Sequence, residues 1–171
     1  MNKNENYIML NGKKIPLTDE QVKLIQTDLP EKSPFDRADE GETYYYFNHS
    51  LDVYDNVEDS LIYDDDCYRC ANYCTDENIM KQHALHMKLN NLLWRYSMTH
   101  GGDSIDWNNR NKTKVVIYYN AALNKFGCSR CVGFKYFGDV PFDSEEIAKA
   151  AIEEIVKPFI AEHPDFDLTK M

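Results

Sequence analysis

Two cysteine pairs form the sharpest chemical pattern in the chain, Cys67-x-x-Cys70 and Cys128-x-x-Cys131. Four thiolates arranged this way can hold one zinc ion tetrahedrally, and each C-x-x-C turn would aim both of its sulfurs at the same metal. Arg69 and Arg130 lie inside the pairs and favour the thiolate form. One structural zinc on Cys67, Cys70, Cys128 and Cys131 is therefore one reading. The 57 residues between the pairs far exceed the ~15–20 of a compact zinc ribbon. Plain, half-buried thiols are the competing reading. A redox-active pair is a third, and neither motif sits in the βαβ pattern that would suit it. Cys74, His83 and His86 lie close by as alternative ligands. The two histidines are one helical turn apart, within reach of a common ion, although His83 also falls on an apolar stripe where a core histidine belongs.

The second pattern is acidic. Asp52, Asp55, Glu58, Asp59, Asp64, Asp65 and Asp66 follow one another with no lysine or arginine between them, and Tyr54 and Tyr63 are interleaved. Crowded carboxylates repel, so the segment must be exposed or neutralised by a partner. It reads either as a solvated loop or as a docking face for a basic groove, with carboxylates standing where phosphates would. The Asp-x-Asx-x-Asx-Gly spacing of a calcium loop is absent.

Catalytic signatures are missing. The chain has no G-x-S-x-G, no phosphate-cradling G-x-x-x-x-G-K-[ST], no H-E-x-x-H and no G-x-G-x-x-G. A binding role, not an enzymatic one, is the expectation. With 29 acidic and 19 basic residues, the net charge of −10 argues against tracking a DNA backbone and allows a basic protein partner. No run reaches the ~18 apolar residues of a membrane span. The polar start, Met1 to Glu5, lacks the apolar stretch of a signal peptide. A cytoplasmic protein with reduced cysteines is expected.

These residues need elements to place them. Tyr7 to Leu10 and Lys13 to Leu17 flank Asn11-Gly12 and read as a hairpin. Thr18 and Gln21 form a capping box for a short helix carrying Val22, Leu24 and Ile25, which should stop before Pro30. Pro30 to Glu40 reads as a linker. Thr43 to Phe47 is an aromatic strand, with another strand near Val53-Tyr54 or Leu61 to Tyr63. The longest helix should run from about Asp76 to about Met98, with Met80, His83, Ala84, Met87, Asn91 and Trp94 on one stripe, and Gly101-Gly102 should end it. Lys114 to Tyr119 is a strand, and Val132 to Phe137 its expected partner. Asp143 and Glu146 form a candidate capping box for a last helix from about Ser144 to about Ala161, which Pro158 would kink or end. Glu42 to Asn48 (ETYYYFN) matches Lys114 to Asn120 (KVVIYYN), a weak internal repeat. The expected class is α+β. A hairpin and short helix (1–29) precede two strand-strand-helix units (30–100 and 101–171), which form one compact domain and one antiparallel sheet with helices on one face.

The segments YIMLNGKKIPLTDEQVKLIQ (7–26), FDRADEGETYYYFN (35–48) and WRYSMTHGGDSIDWNNRNKTKVVIYYN (94–120) resemble small accessory proteins encoded by phages and prophages of Firmicutes. So do Asp106-Trp107-Asn108 at the opening of the second unit and the Phe142 to Glu146 helix start. The resemblance is diffuse and spans most of the chain, and the cysteine pairs depart from it. Some proteins of this general type are anti-CRISPR inhibitors that block RNA-guided nucleases. The resemblance thus implies a CRISPR effector nuclease or its nucleoprotein complex as the basic partner, and the acidic stretch, read as the docking face, would hold it through Asp52, Tyr54, Asp55, Glu58, Asp59, Tyr63, Asp64, Asp65 and Asp66. A zinc-stabilised interaction module is the alternative.

Overall fold

A computed structural model describes residues 6–10, 12–28, 32–109, 111–132 and 138–169. The chain divides into two units, Met1–Asp36 and Arg37–Met171. The strands and helices from Thr43 onward all lie within the second unit.

In the first unit, β1 (Tyr7–Leu10) pairs antiparallel with β2 (Lys13–Pro16), Leu10 facing Lys13 across a two-residue turn. Gly12 takes φ +75°, the left-handed region such a turn demands; Asn11 lies outside the described residues. Helix α1 (Asp19–Asp28) opens as its sequence predicts. The Gln21 N–H donates to Thr18 Oγ1 and the Thr18 N–H to Gln21 Oε1, at 3.3 and 3.0 Å.

In the second unit, β3 (Thr43–Phe47) and β4 (Val53–Val57) form a hairpin. Strand alternation sends Tyr44 and Tyr46 to one face and Thr43, Tyr45 and Phe47 to the other. The first face receives helix α2 (Ile62–Arg69) through Tyr44–Asp64 and Tyr46–Tyr63 contacts. The other receives helix α3 (Glu77–Thr99), where the Phe47 ring lies 5.6 Å from His83. The Leu61 to Tyr63 run is therefore the start of a helix and not a strand. Its three consecutive aspartates fall in and just after the first turn, where the positive end of the helix dipole favours them. Asp76 caps α3 by accepting from the Ile79 N–H at 3.0 Å. Gly101, at φ +91°, ends the helix. Gly102 then packs so close to Ser97 that a Cβ would meet its Oγ at 2.1 Å.

Strand β5 (Lys114–Asn120) is flanked by β6 (Lys125–Cys131) and the two-residue β7 (Pro141–Phe142), all antiparallel. The partner of β5 is thus Lys125–Cys131 and not Val132 to Phe137: residues 121–124 reverse the chain at once, where the Leu123 N–H donates to Asn120 Oδ1 at 3.1 Å. Val132 is an exposed bend, and 133–137 lie outside the described residues. The last helix starts with Ser144, not Asp143, as cap: Ser144 Oγ accepts from the Ile147 N–H at 3.2 Å. It runs through α4 (Glu145–Ala151), a wide turn at Ile152–Val156, and α5 (Lys157–Glu162). The Lys157 N–H reaches back five residues to the Ile152 carbonyl. That wide turn places Pro158 in the opening turn of α5, where a missing N–H costs little, so the helix continues through it.

Among the described residues the strands form three separate sheets, β1-β2, β3-β4 and β6-β5-β7, in place of one shared sheet. In the second unit, α3 joins its two halves. Its start covers β3-β4, and its later turns pack on α4 and the wide turn. One core holds Val115, Val140, Phe142, Ala148 and Ala151; another holds Leu89, Val156, Phe159 and Phe166, and Leu93 touches both. Because α3 serves two partners, its buried face shifts along its length. Met80 and Ala84 are buried as the stripe predicts, but Leu89 and Ser97 take over from Asn91 and Trp94, which are exposed.

Candidate functional site

The acidic stretch folds into β4, the following turn and α2, and its carboxylates divide into two sets. Glu58 and Asp64 are each 1% exposed, so neither belongs to a docking face. A buried carboxylate is tolerable only when it is fully partnered, and both are. Glu58 Oε1 and Oε2 accept from Arg37 Nη2 and Nε at 2.8 and 3.1 Å, a two-pronged pair. Tyr73 Oη donates to Glu58 at 2.8 Å and accepts from the Ala38 N–H at 3.0 Å. The Ser60 N–H adds a further bond to Glu58 at 2.9 Å. Arg37 Nη1 also binds Asp65, at 2.5 Å, so Asp65 is partly engaged too.

Asp64 is held at the Tyr44 hydroxyl. Its Oδ1 accepts from Tyr44 Oη at 2.8 Å and Asn56 Nδ2 at 3.1 Å, and its Oδ2 from the Leu61 and Asp59 N–H groups at 3.0 and 3.2 Å. It thereby satisfies donors at the start of α2 that the helix itself leaves free. Tyr44 and Tyr73, each bonded to one of the two carboxylates, stack at 4.1 Å, worth about 0.5–1.5 kcal/mol beyond their burial.

The electrostatics follow from these partners. Arg37 holds the Glu58 carboxyl below the ordinary glutamate range, outweighing burial, with help from Tyr73 and the Ser60 N–H. Burial pushes Asp64 up, but Tyr44, the two backbone N–H groups and the charge of Arg37 together bring it below the ordinary value. Burial, then the bond to Glu58, lifts the Tyr73 phenol to about 12. Both carboxylates are thus ionised and internal. The network locks the β4–α2 turn and holds α2 in place.

The remaining acidic and aromatic residues face outward. Asp52, Asp55, Asp59 and Asp66 are exposed, and Tyr54 and Tyr63 are each 49% exposed. The Tyr46 ring lies 6.1 Å from Tyr54 and 5.5 Å from Tyr63, joining the two into one aromatic strip. Leu61 and Ile62, the latter 81% exposed, stand at the start of α2 beside Tyr63. Asp66 lies one helical turn from Tyr63 and Ile62. Asp55, by strand alternation, falls on the other side of the hairpin from Tyr54. The site that emerges is Tyr54, Leu61, Ile62, Tyr63 and Asp66, with Asp59 on the adjoining turn. Ile62 and Leu61 escape a reading based on charge, yet two branched aliphatics opening an exposed helix are a visible signal.

The cysteines do not converge. Cys67 is buried with Ala38, Tyr44 and Tyr73, whereas Cys128 packs against the core that contains Val115 and Ala148. Cys128 and Cys131 lie three apart on an extended strand, so their sulfurs point to opposite faces and not to one metal. Cys67 and Cys70 end α2, the first buried and the second exposed. Burial raises the thiols of Cys67, Cys74 and Cys128. His83 and His86 also part company: the His86 ring packs on Phe166 at 4.6 Å, away from the Phe47 contact of His83. Among the described residues, no three His, Cys, Asp or Glu side chains form a group that could hold a metal ion, and no helix is long and apolar enough to cross a membrane.

No family model, no curated protein and no solved structure matches the chain.

Proposed function

We propose that the chain is a phage-encoded binding protein that inhibits a host defence nuclease, an RNA-guided one, by seating the α2 face in a basic groove of the enzyme. The observation that supports this reading is the pairing of exposed apolar and acidic groups on a braced element. Ile62 and Leu61 lie open beside Tyr63, Tyr54 and Asp66, while buried Glu58 and Asp64 fix the backbone beneath them. Rigid aromatic and aliphatic anchors supply affinity at low entropic cost, and the carboxylates steer a basic partner. The choice of a nuclease rests on the net charge of −10 and on the resemblance to phage accessory proteins. Cytoplasmic residence in the host follows from that reading.

A cleavage assay with a purified RNA-guided nuclease tests it. Inhibition should reach its endpoint at equimolar protein and weaken with salt. Ile62→Ser, at a position with little contact to lose, should raise the half-inhibitory concentration about tenfold or more, as loss of an interface anchor does. Unimpaired cleavage at a molar excess in low salt would remove the nuclease from the reading. Inhibition that persists undiminished in Ile62→Ser and Asp66→Asn would remove the face.

A further inference from the structure

Charge is not spread evenly over the chain. Residues 78–102, most of α3 and its C-terminal turn, contain no aspartate or glutamate while including Lys81, Lys88 and Arg95. In a chain of net charge −10, that segregation leaves the exposed side of α3 beyond Glu77 without a carboxylate of its own, the exposed Asp52 beside Leu51 being an acid of the neighbouring loop. At ~0.1 M salt, charges more than about 10 Å away are largely screened, so the local pattern governs what approaches.

A shallow cleft of about 310 Å³ lies on this surface, lined by Leu51, Lys88, Asn91, Leu92, Trp94 and Arg95. Trp94 is 56% exposed, a high figure for the largest and most adhesive side chain. Lys88 and Arg95 are two helical turns apart, about 10 Å, with the indole between them in sequence. Lys81 pairs with Glu77 at 2.6 Å, but among the described residues Lys88 and Arg95 have no ion-pair partner. Another open cleft, between β6 and the last helix, is lined in part by Lys125, Lys149 and Lys157. There Lys149 and Lys157 are neutralised by Glu145 and Glu153.

We infer that the α3 cleft binds single-stranded nucleic acid, one base stacking on Trp94 while Lys88 and Arg95 take the flanking phosphates. A bare indole flanked by cations is the composition of a stacking platform in an electrostatic groove. The Asn91 amide, which both donates and accepts, can reach a base edge. A peptide of acidic residues alone would satisfy the two cations but has no ring to stack on the exposed indole, whereas every nucleotide carries both a phosphate and a ring. The site lies on α3 and not on the tyrosine face of α2, and it needs no nuclease for its test.

The test is fluorescence anisotropy of a labelled oligo-dT of ~12 nucleotides, within the span of such grooves, titrated with the full chain between about 50 and about 200 mM salt. Binding should weaken steeply with salt. The K88Q/R95Q pair should weaken it at low salt and flatten the log–log salt slope by about 1.4, the share of two single-strand phosphate contacts. Trp94→Leu should weaken it about tenfold with the slope unchanged, as loss of one stacked base predicts. All three positions are exposed, and matching thermal melts would show that each variant folds. No binding at about 50 mM salt, or binding that neither variant changes, would overturn the inference. So would poly-glutamate displacing the oligonucleotide with no dependence on Trp94, which would mark an acidic-peptide site.

Discussion

At the residue scale, the decisive event is the burial of two carboxylates from a run of seven acidic residues. Because the folded values of Glu58 and Asp64 are depressed, their contribution to stability is complete above their unfolded values, near 4.5 and 3.8. It is lost as pH falls through the lower folded values. Tyr73→Phe removes one donor from Glu58 and leaves the Ala38 N–H without its partner. We expect it to cost about 1–3 kcal/mol and to move acid unfolding to higher pH, as followed by circular dichroism across a pH series. An unchanged acid limb would mean that the Arg37–Glu58–Tyr73 cluster does not hold the native state together. The sequence alone shows seven acidic residues of one kind. What separates Glu58 and Asp64 from Asp59 and Asp66 is hydrogen bonding to Arg37, Tyr44 and Tyr73, up to 21 residues away, which no local pattern encodes.

At the scale of elements, the strands and helices with strong periodicity or capping are legible in the chain: the first hairpin, the α1 capping box, β3, β5 and α3. Elements missed by pattern have reasons. Helix α2 is short and acidic, and its buried side includes an aspartate. Strand β6 (KFGCSRC) lacks a hydrophobic alternation, and Tyr118 lies against its Gly127, filling the space a side chain would take. The C-terminal segment after α5 is held by a device no periodicity reveals. The Gln82 side-chain amide accepts from the Asp167 N–H at 2.7 Å and donates to the Asp165 carbonyl at 2.9 Å, while Phe166 enters the core. Gln82→Ala should therefore destabilise by about 1–3 kcal/mol and speed amide exchange at Asp167 before any other region loosens. Exchange that remains slow at Asp167 would assign the anchoring to Phe166 alone.

At the scale of the whole molecule, composition understates the organisation. A net charge of −10 suggests a uniform acidic coat. The fold instead buries two carboxylates, displays others beside Tyr54, Ile62 and Tyr63, and gathers cations along α3. The α+β class with small antiparallel sheets is readable from the sequence. The division into three sheets is not, because it depends on which strand edges meet, and that is settled by long-range packing. The setting of the second cysteine pair is hidden for a similar reason: C-x-x-C makes a metal knuckle in a turn, and in β6 the same spacing turns two sulfurs to opposite faces.

On the proposed reading, the β4–α2 face is the surface that docks against the nuclease. Hydrogen–deuterium exchange of the chain, alone and with a purified RNA-guided nuclease at low salt, tests it most directly. Docking through that face should slow exchange at Val53–Val57 and Leu61–Arg69 and nowhere else. Slowing that lies elsewhere, or none at all, would contradict it.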